Sequence, residues 1–260
     1  MAQKNAKIIT FGISKGGCSK TTSAGITAHL LSQDAKVLAV DMDGQGNLTQ
    51  FLTGVDEICD VFEEKTIFEA IKERDIAKYI VPITDNLHIV PSNDYLALLP
   101  RYVYTKATDG NKNLILADTL APVIDQYDYI IIDTPPALSE HTINAISASD
   151  YAVIMNDGSK FCYVAIYKFL EICAAALENG NPNLKVAGIL FSIVDSRTVD
   201  TKAMIELVDS EFEGYRFDTV IQRRAATKRL AVYGFEKNTE LKKGIGGYID
   251  FVEELKERVQ

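Results

Sequence analysis

The chain has 260 residues, 47% hydrophobic and 24% charged, a globular balance that excludes a disordered, collagen-like or coiled-coil polypeptide. No stretch approaches the roughly 20 apolar residues of a membrane span. The net charge of −9 excludes a uniformly basic coat, but residues 215–243 hold eight Lys/Arg against three acids, a local surplus of five.

The first apolar run predicts a strand at Lys7–Ile13, which leads into Ser14-Lys15-Gly16-Gly17 rather than a signal-peptide cleavage site. A helix at Lys20–Gln33 and a strand at Lys36–Asp41 follow, then a surface excursion at Gly54–Lys65. Next come a helix at Thr66–Ile71, a strand at Asn86–Pro91 and a second excursion at Leu99–Asn111. The pattern continues with a helix at Lys112–Gln126, a strand at Tyr127–Asp133 and a helix at Glu140–Ala148. Beyond it lie strands at Tyr151–Asn156, Lys185–Ile193 and Arg216–Ile221, helices at Ser159–Glu178 and Val199–Phe212, and a final helix at Gly246–Val259.

The strand runs are continuously apolar rather than alternating, as strands buried on both faces require. Their alternation with helices predicts one α/β domain over residues 1–260: a doubly wound, mostly parallel twisted sheet with helices on both faces. In such a sheet the ligand sits at the carboxyl ends of the strands. The four cysteines form no Cys-x-x-Cys pair and the three histidines no pair at helical spacing, so free thiols and no structural metal site are expected.

Three strand ends carry chemistry. Lys15-Gly16-Gly17-Cys18-Ser19-Lys20-Thr21-Thr22 joins the first strand to a helix, the setting of a phosphate-binding P-loop. Glycines let backbone N–H groups face inward, and the helix start adds its positive end. Lys20 is placed to reach the β- and γ-phosphates, the Thr21 hydroxyl to ligate Mg2+, and Thr22 to bond the α-phosphate. The second strand ends in Asp41-Met42-Asp43, with both carboxylates at the same sheet edge. The strand Tyr127–Asp133 delivers Asp133 there too, as a Walker-B carboxylate is delivered. Together these ends predict a nucleoside triphosphatase.

Lys15-Gly16-Gly17-x-x-Lys20-Thr21-Thr22, Asp41-x-Asp43-x-Gln45-Gly46-Asn47 and Asp133-Thr134-Pro135-Pro136 resemble the deviant-Walker P-loop ATPases of the ParA/MinD superfamily. Within it they are most similar to the ParA/Soj branch that segregates plasmids and chromosomes. The resemblance continues through Asn86–Asn93, Asp195-Ser196-Arg197-Thr198 and Ile221-Gln222-Arg223-Arg224. It implies ATP as substrate, Mg2+ as cofactor and a homodimer that sandwiches nucleotide. Lys15 matches the signature lysine that crosses to the partner's phosphates, Asp43 the carboxylate that positions the attacking water, and Asp41 with Asp133 the Mg2+ shell. Slow, dimer-dependent hydrolysis is implied, with Lys15, Lys20 and Asp43 as catalytic residues. The chain departs from the family pattern at Cys18 (small aliphatic), Ser19 (glycine), Gly44 (proline) and Gln222 (proline).

The branches of the superfamily differ in what the ATPase drives. A membrane-positioning member needs a basic amphipathic tail, whereas Tyr248–Gln260 carries Asp250, Glu253, Glu254 and Glu257 against Lys256 and Arg258 and reads as a packed final helix. No cysteine stands beside the Asp133 turn, which disfavours the cluster-holding branch. The late basic segment favours double-stranded DNA bound without sequence preference, through Arg223, Arg224, Lys228 and Arg229, with Arg197 as a further candidate. The first strand near Lys7 implies the short form without an N-terminal helix-turn-helix, working with a ParB-type partner on the nucleoid. The alternative is a MinD-like positioning or regulatory switch that recruits a protein without DNA.

Overall fold

The computed structural model describes residues 6–107, 110–233, 235 and 241–260. Its strands are β1 (Lys7–Gly12), β2 (Val37–Asp41), β3 (Val81–Pro82), β4 (Leu87–Val90), β5 (Tyr129–Asp133), β6 (Tyr151–Asn156), β7 (Lys185–Val194) and β8 (Arg216–Gln222). Among the described residues they form one sheet in the order β3-β4-β2-β5-β1-β6-β7-β8, parallel except for the β3–β4 pair. The helices are α1 (Lys20–Leu31), α2 (Asn47–Thr53), α3 (Ile58–Val61), α4 (Ile67–Glu73), α5 (Leu99–Thr105) and α6 (Ile115–Leu120). They continue with α7 (Glu140–Ser147), α8 (Lys160–Glu178), α9 (Val199–Glu211), α10 (Ala225–Tyr233) and α11 (Leu241–Arg258).

Alternate residues of the central strands feed two cores, one on each face. Ile9, Phe11, Val37, Ala39 and Ile131 join a cluster with α1, α8 and α11. Ile8, Leu38, Val40, Ile130 and Ile132 join a second cluster with α4, α5, α6 and α7. Burial on both sides explains why these strands read as unbroken apolar runs. The register sets β1 between β5 and β6, so that Phe11 lies level with Asp133 and Val153. Asp41 in turn pairs with Asp133, which brings the two acidic strand ends side by side. The loop that leaves β1 therefore emerges where the chain turns from one side of the sheet to the other.

The seven expected strands are present with ends shifted by two residues at most, and the doubly wound class is the one observed. The excursion expected at Leu99–Asn111 instead opens with α5, whose Leu99 and Val103 are buried in the second core. The single helix expected at Lys112–Gln126 is divided into a 3-10 turn, α6 and a second 3-10 turn, with Pro122 in the last. Proline there removes an N–H that a continuous helix needs. The final helix buries Tyr248, Phe251, Val252 and Leu255, with Val259 buried just beyond its end, and leaves Asp250, Glu253 and Glu257 exposed. Among the described residues no helix is long and apolar enough to cross a membrane.

Candidate nucleotide site

The connection from β1 to α1 curls because two residues take the left-handed region, Gly17 at φ 80° and Ser19 at φ 56°. Serine in that region costs about 1 to 2 kcal/mol that glycine avoids. The Ser19 side chain makes no cap bond, so the first N–H groups of α1 stay free of a side-chain partner. Gly16 through Thr22 line a cavity of about 640 Å³, within the range of small-molecule sites. Asp43, Gln45, Asn47 and Gln50 form its polar wall; Phe51, Pro136, Ile193 and Arg223 also line it.

Two buried carboxylates stand behind the cavity, each bonded to a residue that lines it. Asp133 is fully buried, and its Oδ2 accepts the Thr21 hydroxyl at 2.6 Å. Its other oxygen, Oδ1, is buried and makes no hydrogen bond among the described residues. Burial, then the neighbouring Asp41 charge, pushes the Asp133 carboxyl well above the ordinary range. Asp41 is also fully buried, but both its oxygens are engaged. Oδ2 accepts from the Thr49 backbone and hydroxyl at 2.9 and 2.8 Å, and Oδ1 accepts from the Asp43 N–H at 3.1 Å. Burial still raises it to about 6, against the Thr49 bonds. Asp43 lies beyond the end of β2, half-buried, with Oδ1 accepting from the Gln45 N–H at 3.1 Å.

The two lysines of the loop part company. Lys20 is 6% exposed, and its ammonium donates to the Lys15 carbonyl at 3.0 Å, inside the curl. Burial lowers its pKa, opposed by the charge of Asp133. Lys15 turns away from this cavity and binds the start of α8, through Asp157 Oδ2 at 2.5 Å and Ser159 Oγ at 2.8 Å. Burial alone would lower the Lys15 pKa, but the Asp157 carboxylate raises it. Asp157, held by Lys15 and Ser159 despite its own burial, is lowered to about 2. The arrangement can hold a string of phosphates on backbone amides with Lys20 beside them, and a cation between Thr21 and Asp133.

Residues 6–186 match the AAA domain family. The chain is 31% identical to the chromosome partitioning protein ParA of Myxococcus xanthus, over 88% of this chain and 79% of that one. It is 32% identical to the sporulation initiation inhibitor protein Soj of Bacillus subtilis, over 88% of each. The chain belongs to the ParA/Soj family of P-loop ATPases.

Solved structures agree with the family's fold. An ATP complex of McdA from Cyanothece superposes with a TM-score of 0.83 at 25% identity, over 98% of this chain and 95% of that one. Cobyrinic acid a,c-diamide synthase of Mycobacterium smegmatis, with bound ATP analog and magnesium, gives 0.79 at 26% identity, over 95% and 93%.

In this ParA/Soj chain the basic candidates do not share one role. Arg223 lines the nucleotide cavity, its Nε donating to the Ile193 carbonyl at 3.4 Å. Arg197 is exposed, but its guanidinium forms a two-point pair with Asp195 at 2.7 and 2.8 Å. Arg224 and Arg229 are exposed at the start of and within the α10 segment, and the side chain of Lys228 lies outside the described residues. Gln222, at a departure from the family pattern, accepts from the Ser196 N–H and hydroxyl at 3.3 and 3.1 Å. Sequence reasoning missed Ile193 as a cavity wall. A bulge between Ser192 and Val194 throws it to φ 58°, rare for a β-branched residue.

Proposed function

We propose that the chain is a DNA-partition ATPase: ATP with Mg2+ in the Gly16–Thr22 cradle drives two copies together, the pair binds DNA without sequence preference, and slow hydrolysis releases it. The observation that carries this reading is the bond between Thr21, which lines the cavity, and Asp133, buried directly behind it, with Asp133 Oδ1 unpartnered among the described residues. A buried carboxylate oxygen without a donor is costly, and a hard divalent cation with oxygen ligands removes that cost. Thr21 and Asp133 would hold Mg2+, which neutralises charge on the phosphates. Asp41 supports this shell from behind, since Thr49 and the Asp43 N–H already occupy its oxygens.

The other residues divide the work. Backbone N–H groups of residues 16–21 and the Lys20 ammonium bind the triphosphate. Asp43, on the cavity wall, orients the attacking water. Lys15 lies outside its own cavity, which supports a role on the nucleotide of a second copy. Arg224, Lys228 and Arg229 contribute to the DNA surface; Arg197 does so only by leaving Asp195, and Arg223 belongs to the nucleotide cavity. A ParB-type partner, nucleoid association and a single domain spanning residues 1–260 complete the reading.

The test is a gel shift on random duplex DNA with and without ATP. Retardation should require ATP and weaken steeply with salt, because neutralised phosphates release counterions. The Asp43→Ala protein should retain ATP-dependent dimerisation while hydrolysis falls about 100-fold or more. Dimerisation without any DNA retardation would replace this reading with a protein-recruiting switch.

A further inference from the structure

The sulfurs of Cys18 and Cys162 lie 2.7 Å apart, although 144 residues separate them in the chain. Both side chains are fully buried. Cys18 belongs to the phosphate cradle, and Cys162 is the third residue of α8, its N–H bonded to the Ser159 hydroxyl at 3.3 Å. Non-bonded heavy atoms rest at about 3.5 to 4 Å, so this contact is already part-way to a covalent bond of about 2.05 Å. Asp157 stands within 4.8 Å of both sulfurs and completes a three-residue cluster that resembles a metal site. Two observations oppose a cation there. Thiolates on one tetrahedral zinc stand about 3.8 Å apart, farther than these. The Asp157 carboxylate is also already bound to the Lys15 ammonium.

We propose that Cys18 and Cys162 form a reversible disulfide that fastens the phosphate cradle to the start of α8. The oxidant is a hydroperoxide. The Cys18 thiolate attacks its outer oxygen, the O–O bond breaks, and an alcohol or water leaves with a proton, giving a sulfenic acid on Cys18. The Cys162 sulfur then attacks the Cys18 sulfur, and the S–O bond breaks. Water departs with the remaining proton. Two thiols and one hydroperoxide thus become one disulfide, one alcohol and one water, with the sulfurs oxidised by two electrons; an external dithiol reverses the change.

The surroundings assign the two roles. The Cys162 sulfhydryl, against burial and the Asp157 charge, holds the Cys18 thiol below the ordinary cysteine value, and Lys15 and Lys20 add to this. Cys162 is raised by the same contact and by burial, which suits the resolving partner. Cys18 also lines the open nucleotide cavity between exposed Gly17 and half-buried Ser19, so a small oxidant reaches its buried sulfur through local opening of the cradle. Cys173 is buried and raised to about 12 by that burial, and makes no comparable pair.

The bond ties residue 18 to the segment that already holds Lys15 through Asp157 and Ser159. The oxidised cradle keeps Lys15 beside α8, so ATP-driven association should fall; this last step alone rests on the function proposed above. The test uses the full chain carrying Cys59→Ser, which removes the partly exposed thiol. After hydrogen peroxide, peptide mapping without reductant should show a Cys18–Cys162 cross-link lost on adding dithiothreitol. The concentration for ATP-dependent dimerisation should rise about fivefold or more, the low end of coupling between sites. Cys162→Ala should dimerise normally and lose this response to peroxide. Cysteines that stay alkylatable after peroxide overturn the bond itself. A cross-link that leaves dimerisation unchanged overturns the control. A reduced protein that never dimerises with ATP overturns the proposed function instead, and leaves the mapped bond standing.

Discussion

Lys15 and Lys20 are the same residue type five positions apart, and their neighbours hold them in different places. Lys20 is buried in the curl near Asp133, and Lys15 is fixed outside it by Asp157. In the proposed function Lys15 has to leave this pair before it reaches a second copy. The pair is a charge-assisted bond with each side chain about one-quarter exposed, so releasing it costs about 1 kcal/mol once solvent screening is counted. Asp157→Asn should therefore lower the concentration for ATP-dependent dimerisation about fivefold, as mass photometry would read it. An unchanged value would mean that Asp157 does not restrain Lys15. Ser19 is a second residue whose neighbours matter less than its backbone. Ser19→Gly removes left-handed strain at φ 56° and should leave stability level or raise it by up to about 1 kcal/mol, measured by urea unfolding.

At the scale of elements, apolar runs made the parallel strands legible, because burial on both faces leaves few polar residues in the central ones. The edge strand β3 was not legible: it is two residues long and contains Pro82. The helix α2 runs seven residues between left-handed Gly46 and Gly54, too short to show a period in sequence. In α5, Leu99 and Val103 stand four apart, a helical spacing that sequence does contain but that the polar stretch after it obscured. The two acidic strand ends and the glycine-lysine loop after β1 were legible for the same reason as the strands. The Cys18–Cys162 contact was not, since nothing local couples positions 144 residues apart. Nor was the bulge at Ile193, which follows from how β7 meets β8. Gly188 governs that meeting. Its φ is 155°, and a Cβ there would stand 2.5 Å from the Tyr215 carbonyl oxygen, a backbone atom. Gly188→Ala should destabilise the chain by about 2 to 4 kcal/mol, more than the unfolded-state gain from alanine offsets. A urea midpoint unchanged from the parent would show that β7 and β8 can separate without loss.

At the scale of the whole molecule, the buried acids at the nucleotide edge set how stability follows pH. Asp41 ionises at about 6 in the folded chain because burial disfavours its charge, whereas an unfolded aspartate ionises near 3.9. Between those values the folded state holds more protons than the unfolded one, so stability falls as pH rises. Two pH units at about 1.4 kcal/mol each give a loss of about 3 kcal/mol from Asp41 alone. Burial raises Asp133 and Asp150 as well, which adds in the same direction. Asp157, lowered to about 2, works oppositely: its contribution is complete above about pH 4 and is lost as pH falls through 2. The net charge of −9 adds self-repulsion toward neutral pH. The nucleotide-free chain should therefore be most stable near pH 4 to 5 and weaken toward pH 7. Urea unfolding across that range measures the slope, and the carboxyl carbon resonance of Asp41 should titrate near pH 6. A midpoint near 4 would show that Asp41 carries its charge without penalty, and would remove its share of the slope.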